Sequence, residues 1–331
     1  MNIAINGMGR IGRAALKLIM DTKGLKLIAV NDIISIENLV YLIKYDTVYG
    51  IYEKEVSHEG QTLIVGDTKI QYTTIKNPAE LPWRDHSIDV VIESTGLFTL
   101  REDAEKHIKA GAKTVVISAP TKSQDTPTVV HGVNSAKGKV SIFSCASCTT
   151  NNIGPVVEIL ERRIGIKKAI MTTVHAYTAS QGIVDGPSKK NFRMGRAGAA
   201  NLVPTSTGAA IATTKALPAL SGKFDGVAIR TPVPVGSISD LTFLTKKPVT
   251  PEMVNNILSE EAKTKRYAKV LAVTTDPIVS SDIVKSPFAS TVDLSMTRVV
   301  DGDLLKVMTW YDNEWGFTNQ MIRQILELKE S

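Results

Sequence analysis

Short apolar runs alternate with amphipathic segments through the first part of the chain. Apolar side chains recur at helical spacing in residues 13–20, and a charged segment at 101–110 is also typical of a helix. The predicted strands, the last two of which end in small polar residues, are 2–6, 25–30, 89–96 and 113–118. This alternation of strands and helices predicts a parallel α/β sheet in this part of the chain.

The second part of the chain has a different pattern. A β-rich segment at 139–143 precedes a polar stretch, and a helix-like run follows at 153–160. Further strand-like runs are 169–174, 241–245, 269–274 and 304–309, and the last helix is predicted at 318–329. Residues 179–201 combine Gly, Pro, Ser and basic residues without clear periodicity, and so long a loop in a compact domain is expected to be functional or interfacial.

A glycine-rich turn joins the first predicted strand to the first helix. Gly7, Gly9 and Gly12 form the pattern G-x-G-x-x-G, and Asp32 follows the second strand, about 20 residues after the last glycine. In this order the glycines allow a tight turn and close approach of a pyrophosphate, while the acid binds the ribose hydroxyls. We therefore expect dinucleotide binding rather than a plain structural turn, and NAD rather than NADP, because a carboxylate repels the 2′-phosphate.

Cys148 opens the helix-like run that begins the second part, among the small hydroxylic residues Ser147 and Thr149. A thiol at a helix N-terminus faces backbone N–H groups and the positive end of the helix dipole, which favours the nucleophilic thiolate. His175, at the end of a predicted strand, is the best candidate for its base. The alternative for each is a structural role, since most free cysteines are small buried apolar residues.

Taken together, five motifs resemble the phosphorylating glyceraldehyde-3-phosphate dehydrogenase family, and the resemblance runs from end to end. The motifs are Asn6–Arg13, Ser147–Asn151, His175–Thr178, Thr205–Ala210 and Trp310–Phe317. The resemblance implies a Rossmann domain, a catalytic α+β domain with a large mixed sheet, and a homotetramer. It also implies NAD as cofactor, and glyceraldehyde 3-phosphate and inorganic phosphate as substrates.

The same resemblance implies a role for each matching residue. Cys148 is expected to be the nucleophile and His175 the base. The residues expected to bind the cofactor are Asn6, Gly7, Gly9, Arg10, Ile11, Gly12, Asp32, Thr95, Gly96, Ser118 and Asn313. Those expected to bind the two phosphate groups are Ser147, Thr149, Thr178, Arg196, Thr207, Gly208 and Arg230. Arginine and hydroxyl groups suit such anions, although a surface ion pair or a helix cap would explain the same residue types.

The chain departs from the family at a few positions. Cys145 stands where the family usually has Asn, Asn152 where it usually has Cys, and Phe317 where it usually has Tyr. These changes leave the reaction class unaltered. Three rival functions remain: an erythrose-4-phosphate dehydrogenase with the same chemistry, a cysteine-dependent semialdehyde dehydrogenase that prefers NADP, and a non-catalytic binding protein.

Composition limits the remaining possibilities. A length of 331 residues favours two domains, expected at 1–147 with 312–331 (NAD-binding) and at 148–311 (catalytic). The hydrophobic content of 43% comes without a membrane-length apolar run. Two cysteines, and a first strand that starts at residue 2 with no preceding signal peptide, predict a cytoplasmic enzyme without disulfides. The net charge of +6 suits anionic substrates; no nucleic-acid motif and no metal site is evident.

Overall fold

A computed structural model describes residues 1–135, 140–188 and 191–328, and these residues pack as two compact units. The first unit comprises residues 1–129, 140–146 and 321–328, and the second comprises 130–135 and the described part of 147–320. Residues 130–135 pack with the second unit because Arg266 donates hydrogen bonds to the carbonyl oxygens of Gly132 and Val133, at 2.6 and 2.9 Å. The units thus differ from the expected domain boundaries at 130–135, at residue 147 and at 312–320. The expected boundaries themselves stay a prediction.

The first unit is built on an eight-stranded sheet. Its elements are β1 Asn2–Asn6, α1 Arg10–Met20, β2 Lys26–Asn31, α2 Ile36–Lys44, β3 Tyr45–Asp46, β4 Gly50–Ile51, β5 Val56–Glu59, β6 Thr62–Val65, β7 Thr68–Thr73, β8 Val90–Glu93, α3 Arg101–Lys109, β9 Thr114–Ile117 and β10 Ile142–Ser144. The strand order is β10-β9-β8-β1-β2-β7-β6-β5, parallel from β10 to β7 and antiparallel beyond it, while β3 and β4 form a separate two-stranded ribbon.

The direction of winding in this sheet reverses at β1. From there the chain builds outward to β2, then returns to the other side of β1 with β8. In open α/β sheets, ligands bind at the carboxyl ends of the strands beside such a reversal. The buried apolar side chains of β1 and β8 hold this central part of the sheet, since Ile3, Ile5 and Ile92 are fully buried.

The second unit is built on a seven-stranded mixed sheet. Its elements are α4 Cys148–Arg163, β11 Ile166–Ala176, β12 Val203–Ser206, α5 Ala209–Ala216, β13 Phe224–Thr231, β14 Ser237–Thr245, α6 Pro251–Ala262, β15 Leu271–Thr274, β16 Ser290–Val300, β17 Leu304–Tyr311 and α7 Trp315–Glu327, of which residues 321–327 pack with the first unit. The strand order is β12-β13-β11-β14-β17-β16-β15. One face of this sheet packs on a single apolar core that also takes in helices α4 and α6.

The predicted fold class is confirmed: a parallel Rossmann-type sheet precedes a second domain with a large mixed sheet. Each predicted strand and helix has a counterpart, with ends that differ by a few residues. Residue 139 of the predicted strand at 139–143 and residue 329 of the last predicted helix lie outside the described residues, as do 189–190 of the long loop. Strands β3–β7, β12, β13 and β16 and helices α2, α5 and α6 were not among the predictions.

Candidate active site and cofactor cleft

A cleft of about 440 Å³ opens at the carboxyl ends of the strands in the first unit. It lies where the strand order reverses, and Asn6 at the end of β1, Asp32 after β2 and Thr95 after β8 line it. Gly7 and Gly9 also line the cleft. Five of the residues expected to bind the cofactor are therefore brought together around one cavity.

The three glycines of the first turn have three different environments. Gly7 has φ +95°, and a Cβ there would lie 2.6 Å from the backbone nitrogen of Thr95. A Cβ on Gly12 would lie 2.0 Å from the carbonyl oxygen of Gly7, so only glycine lets helix α1 pack this closely. A Cβ on Gly9 would meet no protein atom within 4 Å. Open space at the N-terminal end of a helix is what an approaching pyrophosphate requires, so the residues present fit a dinucleotide.

Asp32 is held at the edge of the cleft by backbone groups. One carboxylate oxygen accepts the N–H of Met8 at 2.6 Å, and the other accepts the N–H of Ile33 at 2.7 Å. These bonds tie the end of β2 to the glycine turn. The carboxylate thus lies beside the cleft where a ribose would be bound.

The other residues expected to bind the cofactor lie at several places in the two units, and some of them already have protein partners. Arg10 forms an ion pair with Asp46 at 2.5 Å, and its guanidinium lies over the ring of Tyr49. The backbone N–H of Ser118 donates to the carbonyl oxygen of Glu93. Of the remaining three residues, Ile11 lies within α1 and Gly96 follows β8 with φ +74°. Asn313 lies in the second unit, where its side-chain oxygen accepts a hydrogen bond from the Ser237 hydroxyl. Their roles at the cofactor stay predictions.

The proposed nucleophile and base are in contact. Cys148 is the first residue of α4, whose N-cap Ser147 accepts a hydrogen bond from the backbone N–H of Thr150. His175 is the penultimate residue of β11, and its Nε2 lies 3.3 Å from the sulfur of Cys148. The histidine is buried and the cysteine is partly exposed. Folding therefore brings a helix N-terminus and a strand end together as a thiol–imidazole pair.

Arg230 lies beside the other nitrogen of the same imidazole. It is the direct neighbour of His175 in the parallel pairing of β11 and β13. Its Nη1 is 2.9 Å from His175 Nδ1 and 3.1 Å from the carbonyl oxygen of Ala176, which itself lies 2.7 Å from Nδ1. A base requires the tautomer with the proton on Nδ1, in which the Nε2 lone pair faces the thiol. In that tautomer the imidazole and Arg230, which only donates, both donate to the Ala176 oxygen, and Arg230 makes no hydrogen bond to Nδ1 itself.

The electrostatic environment of the pair favours a neutral thiol on Cys148 and a neutral imidazole on His175. Burial, together with the smaller effect of the positive charge of Arg230, lowers the pKa of His175 to about 4, although the hydrogen bond to Ala176 opposes the shift. Burial raises the pKa of the Cys148 thiol, although Arg230 and hydrogen bonds at Thr149 and at its own backbone oppose the rise. The expectation of a lowered thiol pKa at the helix N-terminus is therefore wrong for this structure, because desolvation outweighs the local donors.

A network of buried hydroxyl groups packs against the Cys148–His175 pair. The Tyr311 hydroxyl lies 2.9 Å from the Thr149 hydroxyl and 2.8 Å from the Thr173 hydroxyl, and its ring meets His175 edge-on. Thr149, expected to bind phosphate, is buried and already bonded within this network. Sequence reasoning missed the Tyr311–Thr173 contact because the two residues are 138 positions apart.

The other residues expected to bind anions lie at several places in the second unit. Arg196 is exposed and forms an ion pair with Asp185 at 2.9 Å. The Thr178 hydroxyl bonds to Ser180, and the Thr207 hydroxyl accepts the backbone N–H of Ala209 at the start of α5. Gly208 is the N-cap of that helix. Of the seven residues expected to bind the phosphate groups, Arg230 contacts His175, and Ser147 and Thr149 flank Cys148. The anion-binding roles stay predictions.

Several cleft residues were not named from the sequence. Ser94 lies between β8 and Thr95, and the rule that ligands bind at strand carboxyl ends would have found it. Ile75 and Lys76 follow β7, a strand that was not predicted. Within the described ranges, no group of three or more His, Cys, Asp or Glu side chains could hold a metal ion.

The fold and the site define a dehydrogenase with a dinucleotide cleft in one unit and a thiol–imidazole pair in the other. Comparison with known proteins identifies the family to which this dehydrogenase belongs. Residues 1–101 match the family description "Glyceraldehyde 3-phosphate dehydrogenase, NAD binding domain", and residues 147–313 match "Glyceraldehyde 3-phosphate dehydrogenase, C-terminal domain". The chain belongs to the glyceraldehyde-3-phosphate dehydrogenase family.

Individual relatives agree with this assignment over nearly the whole chain. The chain is 45% identical to the glyceraldehyde-3-phosphate dehydrogenase of Mycobacterium avium, with 97% of this chain and 96% of the relative covered. It is 44% identical to glyceraldehyde-3-phosphate dehydrogenase 2 of Streptomyces avermitilis, with the same coverage. It is 42% identical to the Clostridium pasteurianum enzyme over 98% of this chain and 97% of the relative.

Proposed function

We propose that this protein catalyses the NAD-dependent oxidative phosphorylation of D-glyceraldehyde 3-phosphate to 1,3-bisphosphoglycerate, in glycolysis and gluconeogenesis. The observation that carries the proposal is the 3.3 Å contact between the Cys148 sulfur and His175 Nε2. A neutral imidazole with its lone pair on a thiol is able to take the proton as sulfur attacks an aldehyde.

The reaction begins on Cys148. Its sulfur bonds to the aldehyde carbon while its proton passes to His175, and His175 then gives this proton to the carbonyl oxygen, which forms a thiohemiacetal. His175 next removes the hydroxyl proton as the hydride leaves the same carbon, which gives a thioester. When bound, NAD supplies the hydride acceptor. An oxygen of inorganic phosphate then attacks the thioester carbon, the carbon–sulfur bond breaks, and the acyl phosphate leaves while the Cys148 sulfur regains its proton from His175.

Arg230 has two roles in the proposed mechanism. Its charge opposes the rise of the Cys148 pKa, and its guanidinium is expected to pair with a phosphate group at the site. The low pKa of His175 keeps the imidazole neutral, and hence able to accept a proton, at neutral pH. Ser147, Thr149, Thr178, Arg196, Thr207 and Gly208 are proposed to complete the two anion sites.

We further propose that the enzyme is a homotetramer in the cytoplasm. The face of the second sheet opposite its core carries exposed apolar side chains. Ile170, Val227 and Leu304 lie on this face, by the registers of β11, β13, β14 and β17, and are 60%, 50% and 43% exposed. Exposed apolar side chains grouped on one face are typical of a protein–protein interface. Within the described residues, no helix is long and apolar enough to cross a membrane.

One assay tests the proposed reaction. NADH formation is followed with glyceraldehyde 3-phosphate in the presence and absence of inorganic phosphate, and with erythrose 4-phosphate as the competing aldehyde. We expect turnover that depends on phosphate and a higher kcat/KM for the three-carbon aldehyde. A higher kcat/KM for erythrose 4-phosphate would assign the alternative function, and oxidation independent of phosphate would refute the acyl phosphate product. Light scattering after gel filtration tests the tetramer.

A further inference from the structure

A buried carboxylate that the proposed mechanism does not use lies under the cofactor cleft. Glu93 ends β8 and is 2% exposed. One of its oxygens accepts both the backbone N–H and the hydroxyl of Thr95, and the other accepts the side-chain N–H of Asn6 at 2.6 Å. Asn6 and Thr95 line the cleft, whereas Glu93 does not. The carboxylate is thus one layer behind the cofactor-binding surface.

The orientation of Glu93 is set by two further buried side chains, His107 and Trp83. His107 Nε2 lies 3.0 Å from the same Glu93 oxygen that Asn6 contacts, and Trp83 Nε1 lies 2.9 Å from His107 Nδ1. Because an indole N–H only donates, His107 Nδ1 must accept, so the His107 proton is on Nε2 and is donated to Glu93. Both His107 and Trp83 are fully buried.

The same directionality continues on the other side of Asn6. Since the Asn6 amide nitrogen donates to Glu93, its oxygen is left to accept the amide N–H of Asn31 at 2.7 Å. Asn31 in turn donates to the carbonyl oxygen of Ile75, and its own oxygen accepts the Ile75 N–H and the Thr73 hydroxyl. The side-chain amides of Asn6 and Asn31 therefore satisfy their hydrogen bonds in one orientation each. If either amide were flipped, its N–H group would face another donor and the bonds would be lost.

We propose that Glu93, oriented by His107 and Trp83, is a positioning residue for the cofactor: it holds the Asn6 amide and the Thr95 turn in the geometry that binds the adenosine half. Asp32 marks this half of the cleft, because the acid after β2 is the ribose ligand of such folds. The inference rests on the proposed function only in that the cleft is the cofactor site. Side chains held before binding lose less conformational freedom on binding, so loosening them weakens affinity.

Binding is measured by calorimetry on the full-length protein, with NAD⁺ and with ADP-ribose, a probe that lacks the nicotinamide. Glu93→Gln keeps the shape but puts an amide N–H against existing donors, and we expect it to weaken both ligands by about tenfold or more. His107→Leu removes the donor to Glu93, and we expect it to weaken the binding of both ligands to a similar extent. His107→Gln still offers a donor and an acceptor, and we expect its affinity to lie nearer that of the parent.

Leu63→Ala is the matched control for stability. Leu63 is fully buried in β6 of the same sheet and does not line the cleft. We expect Leu63→Ala to lower the melting temperature while leaving both dissociation constants within about twofold. Unchanged ligand affinity in Glu93→Gln, or equal affinity in His107→Leu and His107→Gln, would overturn the positioning role. A parent protein that binds ADP-ribose but does not oxidise aldehyde would refute the proposed function and leave this inference intact.

Discussion

Replacing the second and third glycines of the first turn separates cofactor binding from stability. In Gly12→Ala, the new Cβ would lie 2.0 Å from the carbonyl oxygen of Gly7, and real Cβ contacts under 3.0 Å essentially never occur. Helix α1 must therefore move away from the turn. Overpacking of this kind costs about 1–3 kcal/mol in free energy of unfolding. We expect a fall of about 3–10 °C in the melting temperature, together with weaker NAD⁺ binding.

Gly9→Ala is the matched variant. No protein atom lies within 4 Å of the new Cβ, and Gly9 has φ −68°, which alanine adopts readily. Alanine gains about 0.4–1 kcal/mol over glycine by restricting the unfolded chain, and loses a similar amount as a helix N-cap. The free energy of unfolding should thus change by less than about 0.5 kcal/mol. The methyl group occupies the space that a pyrophosphate needs, so we expect a tenfold or greater loss of NAD⁺ affinity, about 1.4 kcal/mol.

Calorimetry measures both quantities, by thermal scans without cofactor and by NAD⁺ titration at 25 °C. Parent-like affinity in Gly9→Ala would refute the placement of the pyrophosphate at this turn. A parent-like melting temperature in Gly12→Ala would show that the close packing of α1 on Gly7 contributes nothing to stability.

Four further predictions concern the catalytic pair, cofactor choice and the second thiol. Cys148→Ser should nearly abolish oxidation while leaving NAD⁺ affinity near that of the parent; turnover within tenfold of the parent would contradict the nucleophile. Asp32→Ala should raise kcat/KM for NADP relative to NAD, and an unchanged ratio would exclude the ribose contact. Arg230→Ala removes a charge that lowers the Cys148 pKa, so alkylation of Cys148 at pH 8 should be slower than in the parent. Equal rates would show that Arg230 does not act on the thiol. Cys145 is buried, and desolvation raises its pKa. After treatment with peroxide and then dithiothreitol, the Cys145→Ser variant should therefore recover as much activity as the parent. Poorer recovery in the variant would indicate that Cys145 is a resolving thiol.

Local sequence patterns were sufficient to predict strands β1, β2, β8 and β9 of the first sheet and its ligand edge. The glycine spacing, the apolar strands and Asp32 are all features of short segments, and the structure places Gly7, Gly9 and Asp32 on one cleft. Only glycine tolerates the backbone at Gly7, and only glycine leaves room at Gly12. Such constraints are read directly from the order of residues, because they depend on backbone sterics within one strand–turn–helix unit.

The second sheet was harder to predict because its strands depend on distant partners. Strand β13 carries Arg230, yet its residues 224–231 lack the alternation of a half-buried strand. It becomes a strand by pairing with β11 on one side and β12 on the other. Strand propensity of this kind depends on neighbours that the chain supplies only after folding.

Residue types alone determined the chemistry of this protein: a cysteine among small hydroxylic residues, a histidine and a dinucleotide turn. Tertiary structure alone decided how these groups are arranged and in which protonation state they rest. The register of β11 and β13 put Arg230 beside His175, and the buried Tyr311 joined Thr149 to Thr173. Desolvation then raised the pKa of Cys148 and lowered that of His175. These effects follow from burial and from contacts between residues far apart in the chain, which spacing along the sequence does not encode.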